Sequence, residues 1–94
     1  MKVENLTDEQ LAACVNAVLK IIAAENAGTK PRGFNAERKR ELIAGPMAGC
    51  TIKELHPPLY KVRGALRVLG HHSEHQGATT GIDELTTRIA RLMG

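Results

Sequence analysis

The stretch Thr51–Gly70, TIKELHPPLYKVRGALRVLG, decides how the middle of this chain folds. Thr51 followed three residues later by Glu54 makes a capping box, in which each side chain accepts a hydrogen bond from the other residue's backbone N–H. A helix therefore starts here. The residue before a proline is pushed out of the helical region, so Pro57 is expected to stop that helix at His56. Pro58 suits the first turn of a new helix, where no N–H is required. Leu59, Val62, Leu66 and Leu69 then repeat at i, i+3, i+7 and i+10, the spacing of a buried helical stripe, and Gly70 closes it. Two helices joined by a tight Pro-Pro corner are predicted.

Upstream, Thr7-Asp8-Glu9-Gln10 is a second capping box. From it, Leu11, Val15, Val18 and Ile22 recur at i, i+4, i+7 and i+11, and Cys14, Ala17 and Ile21 widen the stripe. So broad an apolar surface predicts a central helix, or one that also meets a second subunit, ending near Ala27 with Gly28 as its left-handed stop. After the turn-rich GTKPRGF (28–34), Asn35 can cap AERKRELIA, which Gly45 and Pro46 end. Downstream, Thr80-Gly81-Ile82-Asp83 predicts a last helix with Ile82, Leu85, Ile89 and Leu92 turned inward. No segment alternates as a strand does. The expectation is an all-α single domain spanning 1–94, a compact bundle of about five helices with a helix-turn-helix-like centre.

Composition narrows the class. A 94-residue chain is near the lower end of what sustains a core without staples. With only Phe34 and Tyr60 as aromatics, that core must be aliphatic, which suits helix packing. Two cysteines are too few for a disulfide framework and point to a reducing compartment. The opening residues carry Glu4, Asp8 and Glu9 against Lys2, the reverse of a signal peptide's start. The apolar run 11–24 falls short of the ~20 residues that a membrane span needs. A cytoplasmic, membrane-free protein is expected.

The net charge of +3 is unevenly spread: residues 29–67 hold nine basic and three acidic side chains, a local +6. Charge concentrated in one third of a chain favours an anionic partner there. TIKEL followed shortly by KVRGALRVLG also resembles helix-turn-helix and winged-helix DNA-binding domains, over about twenty residues. In them a short Thr-capped helix precedes a recognition helix with Arg on its open face. The chain departs from them at the corner, where His56-Pro57-Pro58 stands in place of a small residue or Gly. Helical spacing puts Tyr60, Arg63 and Arg67 on one face with Gly64 among them. A Gly within a helix costs about 1 kcal/mol against Ala. The return is close approach of a ligand backbone outside the fold, or of a neighbouring helix within it.

The roles expected on duplex DNA follow from donor geometry. Arg63 and Arg67 reach guanine edges. Lys53, Lys61 and the Arg38-Lys39-Arg40 cluster sit on phosphates. Lys30 and Arg32 act as an arm. A small DNA-binding regulator, dimeric through the first helix, is the leading expectation. The alternative is an adaptor or inhibitor module presenting the same basic middle to an acidic protein surface.

Other chemistry is weaker. His71, His72 and His75 beside Glu74 lack a further local ligand, so no metal is expected. GPMAGCT (45–51) has neither the Lys nor the preceding strand of a phosphate-binding loop. Cys50 has His56 nearby in sequence but no identifiable orienting acid or oxyanion site, and Ser73 has no evident base. Neither a cofactor nor enzymatic activity is expected.

Overall fold

The computed structural model describes residues 2–28, 36–71 and 83–94. Among them every regular element is helical: a 3-10 turn at Val3–Asn5, then α1 (Asp8–Asn26), α2 (Ala36–Ile43), α3 (Ile52–Val68) and α4 (Glu84–Met93). The predicted all-α class holds, with four α-helices among the described residues where about five were expected.

The predicted starts of α1 and α3 are both built as capping boxes. Thr7 N–H donates to Gln10 Oε1 at 3.0 Å and Gln10 N–H to Thr7 Oγ1 at 3.1 Å. Thr51 N–H donates to Glu54 Oε1 at 3.1 Å, and Glu54 N–H to Thr51 Oγ1 at 3.2 Å. These bonds hold the Glu54 carboxyl below its ordinary range. The stop at Gly70 is a Schellman motif: Gly70 has φ +97°, its N–H donates to Arg67 C=O, and His71 N–H donates to Leu66 C=O at 2.8 Å. α4 begins later than predicted. Its N-cap is Asp83, whose carboxylate accepts from Thr86 N–H and Thr86 Oγ1, both at 2.9 Å. Thr80, Gly81 and Ile82, like Asn35, lie outside the described residues.

The largest correction concerns the Pro-Pro corner. There is no corner: α3 runs unbroken from Ile52 to Val68 with both prolines inside it. Each proline removes one i→i−4 bond and costs about 3 kcal/mol in a helix interior. The orphaned acceptors belong to Lys53 and Glu54, whose exposure lets water satisfy them. Against that cost stands the face of the continuous helix. Leu55, Leu59, Val62 and Leu66 are fully buried on it, with Pro58 itself among them. Burying each such aliphatic side chain contributes about 1.5–3 kcal/mol, so the packed face outweighs the missing bonds. Leu69, predicted inward, is only half-buried.

α1 is central, as its stripe predicts, and packs against the other three helices. Leu11, Cys14, Val15, Val18, Ile21 and Ile22 are buried within this one chain. The connector between α2 and α3 is pinned from inside by Met47, which is fully buried and donates its N–H to Leu42 C=O at 2.9 Å. α4 is clasped to the chain's beginning by Arg88, which donates to Leu6 C=O at 2.7 Å and to Asp8 Oδ1 at 2.8 Å. Ile89 is buried as predicted, but Leu92 at the end of α4 is 38% exposed, not inward. No described helix is long and apolar enough to cross a membrane.

Candidate nucleic-acid interface

A single long α3 changes which side chains share a face. Its inward side is taken by residues 55, 58, 59, 62, 65 and 66. The outward side at i, i+3, i+4, i+7, i+8 and i+11 is therefore Lys53, His56, Pro57, Tyr60, Lys61 and Gly64. All six are exposed. At 1.5 Å per residue they span about 16 Å of helix. Tyr60 is 62% exposed, and its ring lies 5.2 Å from that of His56, at 46°. Gly64 touches no other helix: a Cβ built there meets nothing within 4 Å among the described residues. Beside it a cleft of about 660 Å³ opens between α3 and the start of α4, with Lys61 and Gly64 on one wall and Leu85 and Arg88 on the other.

Arg63 does not join this stripe. It turns toward α1, where its Nη2 donates to Glu25 Oε1 at 2.5 Å, and the two side chains are only 13% and 11% exposed. The pair is a strut between α1 and α3. The expected face of Tyr60, Arg63 and Arg67 thus divides, because Tyr60 is exposed while Arg63 and Arg67 are half-buried and engaged.

The Arg38-Lys39-Arg40 cluster divides as well. Arg40 is exposed and Arg38 is half-buried with interactions of its own. Lys39 is only 9% exposed, because it follows the same side of α2 as the buried Leu42. Long basic side chains commonly bury their aliphatic stems in this way. Lys30 and Arg32 lie outside the described residues, as do His72, Glu74 and His75; His71 is exposed.

Of the eight residues expected to face nucleic acid, the exposed subset is Arg40, Lys53, Tyr60 and Lys61. Sequence reasoning passed over His56 as part of that stripe, while Gly64, expected on the candidate face, is exposed there. The signal was present as the i, i+4, i+8 relation of His56, Tyr60 and Gly64, but the assumed break at Pro57 put His56 on a different helix. Comparisons with protein families, with curated proteins and with solved structures find no match for this chain.

Proposed function

We propose that this chain is a small DNA-binding regulator in which α3 is the docking helix, although the two helices of the expected helix-turn-helix are one helix in the fold. The observation that carries the reading is the outward stripe of α3: two lysines, an aromatic pair and a side-chain-free Gly64 on one exposed helical face. Lys53 and Lys61 supply point charges for phosphate, and Arg40 on α2 adds a third. Gly64 lets a sugar-phosphate backbone come close to the helix axis. With Arg63 held by Glu25, the cations left on the stripe are lysines, which position a protein on DNA more than they read bases.

The test is fluorescence anisotropy with a labelled duplex of random sequence, titrated over a range of salt. Affinity should fall with a log–log slope of about −0.9 for each phosphate neutralised. Lys53→Ala and Lys61→Ala should each weaken binding to all sequences alike and reduce that slope by about 1. Absence of duplex binding at low salt would end the DNA reading.

The exposed Tyr60 supports a second reading, the adaptor that offers a basic face to an acidic protein. Aromatic anchors ringed by charge are the usual centres of protein interfaces. That reading gains if Tyr60→Ala abolishes a protein complex while duplex DNA never binds. A homodimer through α1 finds no support in the packing, since that helix's apolar stripe is already spent inside the chain.

A further inference from the structure

Tyr60 is the chain's only tyrosine, and there is no tryptophan. Its ring is 62% exposed on the outward side of α3, and its ring neighbour among the described residues is His56, with centroids 5.2 Å apart. That separation is within the range of aromatic pairs. A helical side chain leans toward the helix N-terminus, so Tyr60 lies back over the turn that carries His56. One turn the other way stands Gly64, where a Cβ would meet nothing within 4 Å among the described residues. Arg63, at i+3, turns toward Glu25 of α1. The ring is thus backed by His56 on one side and has a residue without a side chain a turn ahead of it. Cations flank it: Lys61 follows directly and Lys53 lies two turns back, both exposed. From Leu55 to Gly70 the chain has no acidic residue, and the Glu54 carboxylate accepts from Thr51 N–H at the helix start.

We infer, resting on the DNA-binding reading, that Tyr60 is a stacking site for one unpaired base, so that the DNA this face takes best carries a single-stranded extension beside its duplex. Within a duplex each base is already stacked on its neighbours and offers a protein only its edges. The face of an exposed tyrosine ring therefore finds a partner where a base has left the stack. Every base has a π-face, so the contact holds any sequence. The flanking lysines behave in the same way, since phosphate contacts carry no sequence information. His56 limits the freedom of the Tyr60 ring before any ligand arrives, which lowers the entropy lost on binding. Two rings on successive turns make a place for one base and not a platform for a tract. On the α4 side the neighbouring cleft carries Glu4, Asp83 and Glu84, whose charge turns phosphate back toward Lys53 and Lys61.

Anisotropy titrations of the whole chain compare three labelled DNAs. One is a blunt duplex, the second the same duplex with a short single-stranded overhang, and the third has that overhang built abasic, with its phosphates but without its bases. The overhang should bind about tenfold more tightly than its abasic version, the scale of one aromatic–base stack. That gap should persist as salt rises, because stacking releases no counterions. In NMR spectra the ring protons of the sole tyrosine should move upfield with the overhang and stay in place with the abasic one. Tyr60→Phe should keep the gap and Tyr60→Ala should erase it, with circular dichroism checking that each variant is folded. Equal affinity for the overhang and its abasic version would overturn the stack while leaving duplex binding intact. So would a gap that survives Tyr60→Ala. If none of the three DNAs binds at low salt, the DNA-binding reading itself falls, and the stack falls with it.

Discussion

Replacing Arg63 separates the two roles that its position could serve. In the fold it bridges α3 to Glu25 of α1, with both side chains nearly nine-tenths removed from solvent. Exposed ion pairs contribute about 0–1 kcal/mol, whereas breaking a fully buried pair costs about 3–5 kcal/mol because one charge is left uncompensated. A pair with roughly a tenth of its surface still wet lies between these, so Arg63→Ala should cost about 2–3 kcal/mol. Part of that is the guanidinium's packing against α1. Glu25→Gln should cost less, since the amide can still accept one hydrogen bond from Arg63. The double variant should lose less than the sum of the two single changes, with a coupling of about 1–2 kcal/mol in a double-mutant cycle. Urea unfolding followed by circular dichroism reads all four proteins. A coupling near zero, with wild-type midpoints throughout, would remove the strut. If Arg63→Ala then weakened duplex binding and shifted base preference without touching stability, Arg63 would return to the role of base reader that its sequence position first suggests.

Gly64→Ala should raise stability by about 0.5–1 kcal/mol, because a helix-interior glycine gives up more backbone entropy and the new methyl meets no neighbour. The same change should weaken duplex binding if a phosphate backbone approaches α3 at this point; equal affinity with raised stability would move the contact elsewhere on the helix. Asp83 caps α4 with a carboxyl held below its ordinary value of 3.8, chiefly by the Thr86 backbone and side-chain hydrogen bonds. A depressed folded-state pKa contributes stability that is complete above the unfolded value and is lost as pH falls through the folded one. Stability should therefore decline below about pH 4, and Asp83→Asn, which still caps but does not titrate, should flatten that decline in thermal melts recorded from pH 6 to pH 2. Identical acid slopes in the two proteins would exclude the cap as its source.

What the sequence makes legible, and what it hides, is clearest at α1 and α3. The stripe of α1 follows from spacing alone, since Leu11, Val15, Val18 and Ile22 repeat without any residue that opposes a helix, and all four are buried. The capping boxes at Thr7 and Thr51 and the glycine stop at Gly70 are equally local, each formed by residues within five positions of one another. Arg63 and Arg88 are illegible for the opposite reason. Their partners Glu25 and Asp8 are 38 and 80 positions away, and no local pattern marks them. The Pro-Pro pair belongs to neither class. Proline's local preference says stop, while Leu55, Leu59, Val62 and Leu66 stay in helical phase straight across it, at i, i+4, i+7 and i+11. That phase was present in the sequence, and two independent helices would keep it only by coincidence. Weighing a cost of about 3 kcal/mol for each proline against four fully buried aliphatic side chains on one face favours the unbroken helix. The consequence reaches the candidate site: only an unbroken α3 aligns Lys53 and His56 with Tyr60, Lys61 and Gly64. The outward stripe exists because the inward one overrode the prolines.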